Sequence, residues 1–92
     1  MKEIIFDFDR IGTKADFYKT AITKLELPEY FGNNLDALYD VLTGAIALPV
    51  KVRFENLSLG QLETFEDIIT VFEDAAFELE EQLIFEYYLK KI

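Results

Sequence analysis

The chain contains no cysteine and no histidine. Without cysteine it has no disulfide, thiol nucleophile or thiolate zinc ligand, and a reducing, intracellular location is expected. Without histidine it lacks the side chain most often used as a general acid or base near neutral pH. Any hydrolase would have to depend on carboxylates, lysine or tyrosine. We therefore expect a protein that is not an enzyme and that uses no metal and no cofactor.

Basic side chains are scarce. Nine lysines and arginines stand against eighteen acidic residues, for a formal net charge of −9. Such a charge repels nucleic-acid phosphates and attracts basic partners over long distances. The composition therefore disfavours direct binding to RNA or DNA and favours a basic protein as the partner.

Long apolar runs are also missing. The longest candidate, residues 45–50, is interrupted by Pro49, whereas a membrane helix needs about 20 apolar residues. The Met-Lys-Glu start lacks the apolar core of a signal peptide. We expect a soluble, cytoplasmic protein with one domain, residues 1–92, because the length leaves no room for a second.

Period-2 alternation of apolar and polar residues predicts strands over residues 3–8, 50–55 and 81–90. Helical spacing predicts helices over residues 13–25, 34–47 and 64–80, with one short helical turn within 56–62. Thr13 or Asp16 is the expected cap of the first helix and Thr64 that of the last. Strands separated by helices, each polar on one face, predict a two-layer α/β domain whose parallel sheet carries helices on one face only.

Charge predicts the strand order. Lys51 and Arg53 lie on the polar face of the second strand, where they could pair with Glu3 and Asp7 on one neighbour and with Glu86 on the other. This arrangement puts the second strand in the centre, in the order 1-2-3.

Residues 25–49 carry most of the functional information. Pro28 disfavours a helical Leu27, so the first helix should end near Leu25. Gly32 is expected to permit a turn that other residues resist, and Asn33 or Asn34 to cap the second helix.

The second helix shows two stripes. One is apolar and should face the core; it consists of Leu35, Leu38, Leu42, Ala45 and Ile46. The other consists of Asp36, Tyr39, Asp40 and Thr43. Its aspartates repel each other one turn apart, and no lysine or arginine lies between Lys24 and Lys51. The second stripe is either a solvated acidic face or a binding surface, with Tyr30, Phe31 and Tyr39 as anchors and the aspartates ready for a cationic partner.

A resemblance favours the binding surface. The segment LPEYFGNNLDALYDVLTG, residues 27–44, is similar to the central segment of the barstar family, intracellular inhibitors of the secreted bacterial ribonuclease barnase. The matching positions are Leu27, Pro28, Glu29, Tyr30, Gly32, Asn34, Leu35, Asp36, Ala37, Leu38, Asp40, Leu42, Thr43 and Gly44. The match is ungapped and continues through Pro49.

The resemblance implies a fold with a three-stranded parallel sheet in the order 1-2-3 and an inhibitor, of the immunity-protein or antitoxin kind, that occludes a nuclease active site. It implies a free monomer and a 1:1 complex with a barnase-like nuclease. The implied contact residues are Tyr30, Phe31, Gly32, Asn34, Asp36, Tyr39, Asp40, Thr43, Gly44 and, on the last helix, Asp74.

Three positions depart from the family pattern. Ala45 replaces an aromatic residue, Tyr39 replaces a tryptophan, and Asp74 is shorter than the family's glutamate. The nuclease could therefore differ from barnase. Two alternatives stay open: an interaction module of the same fold for a basic partner that is not a nuclease, and a carboxylate-based metalloenzyme.

Overall fold

The computed structural model describes residues 1–28 and 30–91. Three strands form one sheet in the order β1-β2-β3, and both neighbouring pairs are parallel. The elements along the chain are β1 (Lys2–Asp7), α1 (Lys14–Lys24), α2 (Leu35–Gly44), β2 (Val50–Leu57), α3 (Leu59–Thr64), α4 (Glu66–Leu79), a 3-10 turn (Glu80–Gln82) and β3 (Leu83–Leu89). The predicted sheet and its strand order are confirmed.

The core lies between the sheet and the helices, because alternate strand side chains point to one face. Phe6 and Phe54 face each other in the register of β1 and β2, and both are fully buried. Phe17 of α1 stacks on Phe6 with ring centroids 5.0 Å apart, and Phe72 of α4 lies 5.1 Å from Phe54. Burial of such rings supplies much of the hydrophobic stabilisation.

The other face of the sheet carries ion pairs. Lys51 lies 3.3 Å from Glu86, and Arg53 lies 3.4 Å from Glu3. These two pairs confirm the charge argument for the central strand. The helices cover only the apolar face, which gives the predicted two-layer architecture.

The expected pairing of Asp7 with Lys51 or Arg53 of the central strand is wrong. The register places Arg53 opposite Ile5, with Glu3 and Asp7 at equal offsets on either side. Arg53 pairs with Glu3, whereas the Asp7 carboxylate accepts a hydrogen bond from the Asn56 side-chain amide at 3.0 Å and lies 3.9 Å from Arg10. A side-chain amide of the same central strand thus replaces the expected cation, and Arg10, three residues along the chain, adds a weaker ion pair.

The start of α4 also differs from the prediction. Ser58 and Gln61 form a capping box that starts α3, and Thr64 is the last residue of that helix. The buried Phe65 closes α3 through its backbone N–H and leads directly into α4, which has no side-chain cap. Thr64 is therefore not a cap, because the predicted short helical turn is a six-residue helix that extends through Thr64.

In contrast, α1 follows its prediction. The Thr13 side chain accepts a hydrogen bond from the Asp16 backbone N–H, and the Asp16 carboxylate accepts one from the Thr13 backbone N–H. This reciprocal pair satisfies two donors at the helix start. At the other end, Glu26 has a positive φ of 54° and Leu27 donates to the Ile22 carbonyl oxygen, which ends the helix before Pro28. Among residues 1–28 and 30–91, no helix has the length and apolar character that crossing a bilayer requires.

Candidate functional site

The loop before α2 exposes one aromatic ring and buries the next. The Phe31 backbone N–H donates to the Pro28 carbonyl oxygen at 3.0 Å, which closes a turn. Tyr30 is 89% exposed on this turn, whereas Phe31 is only 8% exposed and its ring lies 6.0 Å from that of Tyr18. The expectation of Phe31 as a surface anchor needs correction, because its side chain holds the loop from inside. Glu29, part of the family pattern, lies outside the described residues.

Gly32 matters because it has no side chain, and not because its backbone adopts a special conformation. Its φ is not positive; the positive φ of 49° belongs to Asn33. A Cβ on Gly32 would lie 2.9 Å from the side-chain nitrogen of Asn34, too close for an unchanged Asn34. The predicted role of Gly32 in a special turn is therefore wrong, and its role is to leave room for Asn34.

Asn34, rather than Asn33, is the cap of α2. Its side-chain oxygen accepts a hydrogen bond from the Ala37 backbone N–H at 2.8 Å, and its amide donates to the Gly32 carbonyl oxygen at 3.1 Å. The first bond satisfies a donor that the helix itself leaves free. Asp36 follows in the first turn, where the helix dipole favours a negative charge.

α2 packs against α4 through its apolar side. Leu38 and Leu42 are fully buried, as predicted, and Val41 adds a half-buried contact. Ala45 is exposed because α2 ends at Gly44, three residues before the predicted end at Ala47. The Ala45 and Ile46 backbone N–H groups both donate to the Val41 carbonyl oxygen, so the chain leaves the helix there.

The second stripe is split by burial. Asp36 and Asp40 are exposed, whereas Tyr39 and Thr43 are half-buried. The Thr43 hydroxyl donates to the Tyr39 carbonyl oxygen at 2.8 Å, which fixes its orientation. Apart from its chain neighbours and its own helix backbone, Gly44 has no atom within 4 Å of the place where a Cβ would stand, so the surface beside it is open. The stripe offers two carboxylates to solvent between better-packed neighbours.

Neither Asp36 nor Asp40 has an ion-pair partner anywhere in residues 1–28 and 30–91. The acidic residues of the three strands, by contrast, each have an ion-pair partner. Their carboxylates lie 3.3–3.9 Å from a lysine or arginine nitrogen; these residues are Glu3, Asp7, Glu55 and Glu86. Two like charges on one helix face, left without a cation, cost folding stability. Such an arrangement is typical of a surface that meets its cations on a partner.

The acidic character extends to α3 and α4. Residues 54–89 contain no lysine or arginine, and this second stretch without basic residues is visible in the sequence alone. Within residues 1–28 and 30–91, the one ion pair of α4 joins Asp67 to Lys14 at 2.6 Å. Burial raises the pKa of the Asp67 carboxyl, but the hydrogen bonds from Lys14 and from the Ile68 backbone N–H and the charge of Lys14 together outweigh it, and the pKa lies below its ordinary value. Asp74, the nominated residue of α4, is exposed on the helix that packs against α2.

The carboxylates near the end of β1 have partners within the protein. No group of three or more carboxylates within the described part of the chain is placed to hold a metal ion. Asp9 is bound to Lys90 at 2.7 Å, and Asp7 accepts hydrogen bonds from Asn56 and from the Asp9 backbone N–H. These two carboxylates thus link the end of β1 to the ends of β2 and β3.

Comparison with known proteins agrees with this geometry. The family described as "Barstar (barnase inhibitor)" matches residues 1–89. A protein of Bacillus subtilis (strain 168), named "Putative ribonuclease inhibitor YrdF", is 37% identical over 90 residues, which cover 89% of this chain and 93% of that protein. With the resemblance at residues 27–44 thus extended over nearly the whole chain, the protein belongs to the barstar family.

Proposed function

We propose that this protein inhibits a barnase-like ribonuclease by inserting α2 and the preceding loop into the active site of the enzyme. The observation that carries the proposal is the pair of exposed carboxylates, Asp36 and Asp40, which have no cation of their own in residues 1–28 and 30–91. Family membership and the name of the Bacillus relative support the same role.

In the proposed mechanism the two aspartates take the place of RNA phosphates. A ribonuclease holds its substrate with arginine, lysine or protonated histidine, and these groups form charge-assisted hydrogen bonds with carboxylates as well as with phosphates. Asp36 and Asp40 are one helical turn apart on the same face, so one cleft can receive both. The inhibitor blocks the site without a reaction of its own, and it uses no cofactor or metal.

In the free protein, contacts within the fold already hold this surface in place, so binding needs no rearrangement of α2 or the loop. Asn34 caps α2, Leu38 and Leu42 anchor it on the core, and Phe31 holds the loop from inside. A preorganised surface loses less conformational entropy on binding than a mobile one. Tyr30, exposed next to Phe31, is the aromatic side chain best placed to contact the enzyme.

Neighbouring residues complete the proposed contact surface. Tyr39 and Thr43 flank the aspartates, Gly44 leaves an open approach at the end of α2, and Asp74 adds a carboxylate from the neighbouring helix. Since Tyr39, Ala45 and Asp74 are smaller than the family's residues, the cleft edge of the cognate enzyme should differ from that of barnase. One active site accepts one inhibitor, so we propose a 1:1 complex.

The acidic helices α2, α3 and α4 also favour fast encounter with a basic enzyme. Helices α2, α3 and α4 lie within residues 25–50 and 54–89, which contain no lysine or arginine, and the formal net charge of the chain is −9. Long-range attraction of this kind raises association rates at low ionic strength. Rapid capture matters for an inhibitor of a nuclease toxin, because free enzyme degrades the RNA of the cell that makes it. This role implies that the protein acts in the cytoplasm.

RNA cleavage in the presence of increasing inhibitor tests the proposal. We expect at least one secreted barnase-like ribonuclease, from a panel that includes barnase, to be inhibited with a 1:1 endpoint. The Asp36→Ala and Asp40→Ala variants should inhibit much less, whereas Glu81→Gln, which removes a charge outside the proposed surface, should inhibit like the parent at moderate salt. A chain that binds basic proteins but inhibits no ribonuclease would instead be an interaction module for another partner.

A further inference from the structure

A groove opens on the side of the helix layer formed by α3, the first half of α4 and β3. It has a volume of about 460 Å³ and none of its lining residues belongs to α2. Leu59 is 75% exposed and Tyr87 41% exposed along it, and the half-buried Leu62 lines it as well. Exposed leucine and tyrosine side chains that line one groove form an apolar floor that water solvates poorly.

The rim of the groove is acidic. Glu63, Glu66 and Glu73 line it, and none of these carboxylates has an ion-pair partner in the part of the chain that the structure describes. These glutamates lie within residues 54–89, which contain no lysine or arginine. The groove thus combines apolar surface with uncompensated negative charge.

The groove continues along α4. A neighbouring depression of about 530 Å³ shares Glu63, Glu66 and Thr70 with it and ends at Leu35, the first residue of α2. The Lys14–Asp67 pair closes one side of this extension. A chain segment several residues long can therefore lie across α4 from β3 towards α2.

We propose that this groove binds a basic amphipathic segment of a protein partner, in which lysine or arginine residues alternate with apolar ones. Apolar side chains of such a segment cover Leu59 and Tyr87. The aliphatic stems of its basic residues lie along the same floor, while their charged ends reach the rim carboxylates. The inference rests on the shape and charge of the groove and does not depend on the proposed inhibition of a ribonuclease.

Charge excludes the other candidate occupants. A second copy of this chain carries a formal net charge of −9 and would be repelled from the glutamates. Nucleic acids and anionic membranes are repelled for the same reason. A purely apolar ligand would leave the carboxylates without partners.

A peptide titration followed by amide NMR spectra of the full chain tests the proposal. The probe is a synthetic amphipathic peptide of leucine and lysine; one control peptide has glutamate for lysine, and another has serine for leucine. We expect saturable shifts in α3, at Glu66, Glu73 and Tyr87, with the leucine–lysine peptide bound at least tenfold more tightly than either control. Shifts centred on Asp36 and Asp40, or equal binding of the lysine–serine peptide, would overturn the proposal.

Matched variants separate the groove from general acidity. The Glu66→Gln, Glu73→Gln double variant and Leu59→Ser should each weaken peptide binding at least tenfold. The Glu78→Gln, Glu81→Gln double variant removes the same charge outside the groove, and Phe77→Ser removes an 87% exposed ring from α4 that does not line the groove. Both controls should bind like the parent. If the two double variants weaken binding equally, only bulk charge attracts the peptide and the groove is no site.

Discussion

Asn34 and Gly32 are joined by a hydrogen bond of 3.1 Å from the Asn34 side-chain amide to the Gly32 carbonyl oxygen. The oxygen of the same side chain accepts the Ala37 backbone N–H at 2.8 Å. A single side chain thus links the exposed loop to the first turn of α2. Because Asp36 lies in that turn, this link also positions the first carboxylate of the proposed binding surface.

The Asn34→Ala variant tests this link. It should lower the free energy of unfolding by about 0.5–2 kcal/mol, since the N-terminal donors of α2 lose their acceptor. Asn34→Asp keeps the acceptor but loses the bond to Gly32, so it should cost less. Denaturant unfolding of both variants provides the measurement, and an equal loss in both would mean that the Gly32 bond, rather than the cap, holds the loop.

Leu42 and Asp40 should separate the scaffold from the surface. Leu42 is fully buried, and Leu42→Ala should cost about 2–5 kcal/mol of folding stability through lost burial and a cavity. Asp40→Ala should leave stability unchanged or raise it by about 0.2–0.5 kcal/mol, because repulsion from Asp36 disappears. Thermal melts of the two variants compare these values. A loss for Asp40→Ala as large as that for Leu42→Ala would show that Asp40 supports the fold.

The proposed inhibition predicts a kinetic difference between central and peripheral acids. Asp40→Ala should speed dissociation from the inhibited ribonuclease by about 100-fold or more, since a buried charge pair that loses one member costs about 3–5 kcal/mol. Glu81→Gln should instead slow association slightly, and salt should remove this effect. Association and dissociation rates at low and high ionic strength distinguish the two. Unchanged dissociation of Asp40→Ala would place the contact surface elsewhere.

Asp7 should make folding stability depend on pH. Its pKa lies below the ordinary value of 3.8, first because the Asn56 amide donates a hydrogen bond to the carboxylate and second because the Asp9 backbone N–H does so. A lowered pKa in the folded state means that the stabilisation is present above about pH 3.8 and is lost as pH falls through the folded value.

The Asn56→Gly variant removes the main cause without straining the backbone, whose φ at this position is 63°. The Asp7 pKa, followed by NMR of the carboxyl carbon, should rise towards its ordinary value, while the pKa of Asp16 stays low because its donors are the backbone N–H groups of Gly12 and Thr13. The stability lost in the variant should be larger at pH 6 than at pH 2. The same loss at both pH values would mean that the bond does not act through the Asp7 charge.

Local sequence patterns determined most of the secondary structure and the strand order of this protein. Alternation in the strands, the cap candidates Thr13 and Asp16 and the charges of Glu3, Arg53 and Glu86 were sufficient to predict the strands, the first helix and the strand order, because each depends on neighbours in sequence or on one strand pairing. The unpaired Asp36 and Asp40 were equally visible, since no cation lies nearby in the chain.

Tertiary packing decided what the patterns left open. Tyr30 and Phe31 are adjacent aromatic residues, and only the contact of Phe31 with Tyr18 determines which ring is buried and which meets a partner. The Asp7 carboxylate accepts a hydrogen bond from Asn56, a residue 49 positions away, instead of pairing with the predicted Lys51 or Arg53. The groove on α4 likewise requires β3 to bring Tyr87 beside Leu59. Contacts between distant segments depend on the three-dimensional positions of whole elements, which no local periodicity specifies.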